Sequence, residues 1–221
     1  MRILGITAKC LFMVCLPVLL LTASIAVAAN SLWLYQYGFE KYDVSQTTGL
    51  AEVELEDVAT GLISYFNSGE EYVSLELFTQ EEVIHFRDVK GLIRLDYWVA
   101  LGTLTYALAY AGVSLFWRKR KYWRQLAWGM VGGSGLTLAL MLMLGLGTLL
   151  GFDQLWLQFH LLFFSNEFWS AEGYMLMLFP GGFWYDATLF CALAAVGLAI
   201  ILGGLAGGYL YFKRNYIHRL D

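Results

Sequence analysis

Apolar residues along this chain gather into four uninterrupted runs, at 10–29, 95–117, 125–150 and 187–212, and polar residues gather between them. Each run is about 20 residues or more, the length that carries a helix across a hydrocarbon layer of about 30 Å. The pattern predicts four membrane spans, 1–29, 95–117, 125–150 and 187–212. A segment 30–94, a short link 118–124 and a segment 151–186 join them, and a tail 213–221 follows. The first run also has the form of a secretory signal, with Arg2 and Lys9 ahead of the apolar stretch and Ala26-Val27-Ala28 after it. It is longer than the roughly 7–15 residues usual in such a signal. Either form sends residue 30 onward across the membrane.

The two long connections exceed the usual 4–6 residues and need structure of their own. In 30–94, alternation of apolar and polar positions predicts strands at 35–44 and 72–77. Between them, Leu50, Val53, Val58, Leu62 and Phe66 recur at helical spacing over 49–66, and Asn67-Ser68-Gly69 marks a turn. Thr79 followed by Glu82 is a capping box, so a helix starts there and has no breaker until Gly91, a course that leads into the second span. In 151–186, Phe152, Leu155, Phe159 and Leu162 share one helical face, and Trp156, His160 and Phe163 form a neighbouring stripe. Residues 175–179 are apolar but too short to span, and Pro180-Gly181-Gly182 ends them, as in an interfacial or re-entrant piece. The fold class expected is therefore a membrane all-α core of four transmembrane helices with a small extracytoplasmic α+β cap.

Charge orients the spans. Ten of the fourteen Lys and Arg residues fall on one side of a four-span arrangement: Arg2, Lys9, Arg118, Lys119, Arg120, Lys121, Arg124, Lys213, Arg214 and Arg219. Only Lys41, Arg87, Lys90 and Arg94 fall on the other, so the termini and the 118–124 link are expected in the cytoplasm of a cell-membrane protein. Nearly all the acidic residues lie in the outer segments, so the net charge of −4 describes an acidic outer face and gives no footing for nucleic acid. Composition agrees, with 59% hydrophobic and 14% charged residues against about 45–50% apolar in soluble domains. Trp33, Trp98, Trp117, Trp123, Trp128, Trp156, Trp169 and Trp184 cluster near the ends of the runs, as interfacial belts do. Cys10, Cys15 and Cys191 lie in or beside the apolar runs, where no disulfide is expected.

The candidate chemistry lies in the histidines. His218 sits among basic residues of the tail, where a solvated or lipid-phosphate role fits. His85 and His160 fall on different outer segments at matching depth, each near polar groups able to orient it: Asp88 for the first, Asn166 and Glu167 for the second. Each imidazole alone reads as a hydrogen-bonded structural residue; two at one level raise proton chemistry, since imidazole changes charge near neutral pH. Zinc is disfavoured, because no H-x-x-x-H, no C-x-x-C and no third outer histidine is present. Gly133-Ser134-Gly135 lacks the G-x-S-x-G context and lies inside a span, and the pairs Gly203-Gly204 and Gly207-Gly208 read as close helix packing.

The run Leu77-Phe78-Thr79-Gln80-Glu81-Glu82-Val83-Ile84-His85 with Asp88-Val89-Lys90, and the series Phe152-Asp153, Phe159-His160, Phe163, Asn166, Trp169, Phe179-Pro180 and Phe183-Trp184, resemble the signature of the bacterial lipoprotein intramolecular transacylases. These are small four-span membrane proteins of Gram-positive bacteria, and the resemblance covers most of the chain. It implies transfer of the sn-2 fatty acyl group of a diacylglyceryl lipoprotein to the α-amine of its N-terminal cysteine, giving the lyso-form. An ester becomes an amide, so no energy source, metal or cofactor is implied. His85 and His160 would be the catalytic pair, with Asp88, Asn166 or Glu167 orienting them and Trp156, Phe163, Phe164 and Trp169 walling the pocket. No covalent acyl-enzyme is expected. The partners implied are diacylglyceryl lipoproteins and membrane lipid, with the chain acting as a monomer. The competing readings are a lipoprotein ester hydrolase and a non-enzymatic membrane accessory or sensor protein.

Overall fold

The structure, a computed structural model, describes residues 2–116 and 120–217. Trp117, Arg118, Lys119, His218, Arg219 and Asp221 therefore lie outside the described residues. The described residues form eight α-helices: α1 (Arg2–Ala29), α2 (Leu32–Lys41), α3 (Val44–Thr48), α4 (Glu52–Asn67), α5 (Gln80–Phe116), α6 (Arg120–Phe163), α7 (Tyr174–Leu178) and α8 (Gly181–Ile217). A turn of 3-10 helix, Phe168–Ser170, precedes α7. Four of these helices are long and apolar enough to cross a membrane: Gly5–Ala29, Gln80–Phe116, Tyr122–Phe163 and Gly181–Lys213. At 37 residues α5 is about 55 Å long, well beyond a hydrocarbon layer of about 30 Å. Its polar first turns, carrying Arg87, Lys90 and Arg94, are the part left over.

Two units divide the chain. The first comprises Met1–Ser24, Tyr97–Gly145 and Cys191–Asp221. Its helices approach closely at three glycines: Gly129 lies against Phe12, Gly133 against Leu16, and Gly203 against Ser134. Small residues at such crossings are how helices pack in lipid, where no hydrophobic force draws them together. Gly204, Gly207 and Gly208, expected to pack, have open space where a side chain would be, so only Gly203 of that series serves the packing. Thr137 and Ser24 return their hydroxyls to the carbonyls of Gly133 and Leu20, which satisfies them inside the bundle. Leu142, Leu193, Leu205 and Phe212 are widely exposed, a perimeter that suits lipid and not water.

The second unit comprises Ile25–Asp96 and Leu146–Phe190. Among the described residues it is entirely helical or irregular, which corrects the α+β cap expected from the sequence. The aromatic alternation at 35–44 is two helical stripes: Tyr35 and Phe39, four apart, are buried, while Trp33 and Tyr37 stack on each other outside. Residues 72–77 form an irregular strap. Val73 is buried, Leu75 packs on Gly61 of α4, and no strand lies beside it to take its backbone groups. In α4 the buried face is Leu55, Val58, Ala59, Leu62, Tyr65 and Phe66, and Val53, expected on it, is 66% exposed.

Three polar ties close this unit. Lys90 is buried, and its Nζ donates to the Glu70 carbonyl at 2.7 Å and to Ser68 Oγ at 3.1 Å while lying 3.9 Å from the centre of the Tyr65 ring. Arg94 donates to the Ser68 carbonyl at 2.7 Å, so the basic face of α5 holds the strap. Lys41 Nζ and Tyr42 Oη both reach Asp186 Oδ2, at 2.6 and 2.7 Å, fastening α2 to the start of α8. The hydrogen bond to Asp186 raises the Lys41 pKa above its ordinary range.

Candidate active site

His85 stands on the second turn of α5, and the box that starts the helix is complete. Thr79 N–H donates to Glu82 Oε2 at 2.8 Å, and Glu82 N–H to Thr79 Oγ1 at 3.3 Å. His160 stands one turn before the end of α6. That helix breaks at Gly151, whose φ of 170° and ψ of 80° are not helical, so the stretch bearing His160 takes its own direction. Both histidines belong to the second unit, and both are buried, with 6% and 4% of their surfaces exposed.

The two rings face one cleft. Their centroids are 6.2 Å apart and their planes 28° from parallel. That gap is too long for a direct hydrogen bond. It leaves room for one group bound by both rings at roughly 2.7–3.2 Å from each. The cleft encloses about 320 Å³, and its walls are Trp156, Trp169, Met175, Leu176, Phe179, Pro180, Gly181 and Trp184. Among the described residues, no carboxylate, lysine or arginine lines it.

The nitrogens are set differently. His160 Nδ1 lies 2.8 Å from the carbonyl oxygen of Trp156, which can only accept, so Nδ1 carries the proton and Nε2 is left with its lone pair. His85 Nδ1 is buried and has no hydrogen-bond partner among the described residues. An unpaired buried polar atom is costly and uncommon. Aromatic rings brace both imidazoles. Phe164 lies 4.8 Å from His85 and 5.4 Å from His160, and Trp156 and Trp169 lie 4.6 and 4.7 Å from His160.

Of the four aromatic residues expected in the pocket, Trp156 and Trp169 line it and Phe164 packs on both imidazoles. Phe163 turns away, exposed, against Phe159. Asp88 and Asn166 do meet, but not at the histidines: Asn166 Nδ2 donates to Asp88 Oδ2 at 2.9 Å, which ties the loop after α6 to α5. Glu167 is exposed, and no hydrogen bond joins it to either imidazole. The wall that sequence reasoning missed comes from 175–184, above all Trp184, which stacks on Trp156 at 4.9 Å. The cue was Pro180-Gly181 after a short apolar helix, a device that turns the chain back beneath the cleft. Among the described residues no three His, Cys, Asp or Glu side chains converge as metal ligands do.

No curated protein sequence matches this chain. Solved structures do. The membrane-integral lipoprotein intramolecular transacylase Lit from Bacillus cereus superposes with a TM-score of 0.83 at 18% identity, over 97% of this chain and 99% of that one. The same protein with an H85R mutation superposes at 0.80 and 19% identity, over 96% and 95%. With an H85A mutation the values are 0.80 and 19%, over 96% of each chain. At such identities the likeness speaks for the fold. The family model of lipoprotein intramolecular transacylase Lit matches residues 10–184, which include every element of the site described above. The chain belongs to the lipoprotein intramolecular transacylase family, a family of membrane acyltransferases.

Proposed function

We propose that the cleft carries out the transfer within one lipoprotein terminus. The α-amine of the N-terminal cysteine attacks the sn-2 ester carbonyl of its own diacylglyceryl group, a C–N bond forms, the ester C–O bond breaks, and the amine proton ends on the glyceryl oxygen. His160 is the base, because its Nδ1 is held by the Trp156 carbonyl and its Nε2 lone pair is free to take the amine proton. His85, whose ring lines the same cleft, binds the ester carbonyl or the leaving oxygen from the other side. The observation that carries this reading is the shared cleft: two buried imidazoles 6.2 Å apart, walled by aromatic rings, in a chain of this family.

Attack closes a ring of about eight atoms, counting N, Cα, Cβ, S, two glyceryl carbons, the ester oxygen and the acyl carbon. Well-oriented reactions of this kind reach effective molarities of about 10⁵–10⁸ M, so holding the thioether folded is the larger part of the task. The aromatic walls hold that folded form and keep out water, whose attack would release fatty acid. The cleft is small, about 320 Å³. It therefore takes the reacting head group and leaves the acyl tails in the lipid. Both imidazoles and the walls come from one chain, so the monomer is the working unit. The basic residues favour cytoplasmic termini, with the cleft at the extracytoplasmic membrane surface.

The test is the mass of the product made by the purified protein from a synthetic diacylglyceryl lipopeptide. Unchanged total mass with loss of the free α-amine is the expected result. Loss of one acyl mass would make the protein an ester hydrolase, and an unaltered lipopeptide would leave the accessory or sensor role.

A further inference from the structure

We propose that Glu82 is a positioning residue of this site, a carboxylate that fixes the helix bearing His85 and the opposite wall of the cleft at one point. The proposal rests on the acyl-transfer reading above. An ordinary capping-box glutamate reaches back to the backbone of the cap residue and leaves its other oxygen to water. Glu82 is different: it is 0% exposed, and both oxygens are taken by backbone N–H groups. Oε2 accepts from Thr79 at 2.8 Å, and Oε1 accepts from Met175 at 2.6 Å, a residue 93 positions away.

Met175 and Leu176 of α7 and Phe179 just after it line the cleft, and His85 lies three residues, less than one turn, beyond Glu82 on α5. One side chain thus sets how far α7 stands from the imidazole. The backbone before α7 is fitted to it. Gly173 runs past in an extended conformation, and a Cβ there would press on the Glu82 carboxyl group. Its hydrogen is what lets the loop come close enough for Met175 N–H to reach Oε1. A carboxylate suits the position because it offers two acceptors and no donor to two N–H groups. An amide of the same shape offers one acceptor, and its NH₂ must face an N–H.

In the full-length purified protein, Glu82→Gln is expected to lower kcat/KM for the synthetic lipopeptide by roughly tenfold, the consequence of leaving one buried N–H unpaired. It is also expected to raise the share of the sn-2 chain released as free fatty acid, since a displaced wall admits water. Hydrogen exchange at the 174–178 amides should quicken in the same variant. Gly173→Ala, which pushes on the carboxyl group from the other side, should shift the product ratio in the same direction. Thr79→Ala weakens the helix cap but leaves the bond from Met175 to Glu82 in place, and should keep the wild-type ratio of amide to fatty acid.

Glu82→Gln with wild-type exchange at 174–178 would overturn the proposal. So would quickened exchange with wild-type kinetics and product ratio, or an equal shift in Thr79→Ala, which would reduce Glu82 to a cap. If the wild type itself forms no amide, the acyl-transfer reading fails, whereas the exchange measurement still decides whether Glu82 holds the wall.

Discussion

On the proposed reading, His85 and His160 divide one proton transfer between two differently held rings. His160 has its tautomer set by a backbone carbonyl, and His85 has a buried nitrogen with no partner among the described residues. General acid–base groups contribute roughly 10²–10⁴-fold, so His160→Ala and His85→Ala are each expected to slow amide formation by that order while the purified proteins keep their melting temperature within a few degrees. Groups that serve one step are not additive. The double variant should therefore be about as slow as the slower single one, and a product of the two losses would mean that they act in separate steps. Substrate protonation sets the pH dependence. The cleft has no carboxylate to hold an ammonium, and an α-amine titrates at about 7.7–8.0. The reactive form is the free amine, so the rate measured in detergent or lipid should climb as pH rises from about 6.5 to 8.5 and then level off. A rate that falls over that range would show that the protonated amine is the form bound.

At the scale of elements, what the sequence made legible was set by local chemistry. The capping box at Thr79 and Glu82, the uninterrupted helix after it and the turn at Pro180-Gly181 are each specified by residues within a few positions, and the structure has all three. Over 33–39, aromatic residues at every second position satisfy two adjacent helical stripes as well as one strand face, and the alternation at 72–77 meets no partner strand among the described residues. In α2, burial of Tyr35 and Phe39 together decides for the helix. The face of α4 shifted for a related reason: Val53 is apolar yet lies in the first turn, outside the packed stripe that Leu55, Val58 and Leu62 define. Leu62→Ala should accordingly cost about 2–5 kcal/mol by chemical unfolding, as for a fully buried leucine. Val53→Ala should stay within about 0.5 kcal/mol, as at exposed positions away from special features. Equal losses at the two would restore the face expected from periodicity alone. The meeting of the 175–184 wall with His85 and His160 depends on long-range packing, which no spacing along the chain encodes; Trp184 and Met175 could be placed in the cleft only through the fold.

For the whole molecule, the proposed topology has the acidic segments 30–94 and 151–186 outside the membrane and the basic link and tail inside. In a chain whose Cys10, Cys15 and Cys191 are replaced by serine, a cysteine introduced at Glu54 should react with a membrane-impermeant maleimide in intact cells. One introduced at Tyr122 should react only after permeabilisation, and the opposite pattern would invert the topology. On that topology the ester and the amine of a lipoprotein terminus would lie at the level of the two imidazoles. The measurement that bears most directly on this picture follows one acyl chain. A diacylglyceryl lipopeptide carrying isotope label only in its sn-2 chain, incubated with the purified protein, should yield a peptide whose label lies in an amide on the terminal cysteine, with the sn-1 ester and the total mass intact. Label found in free fatty acid, or in an amide formed from the sn-1 chain, would contradict it.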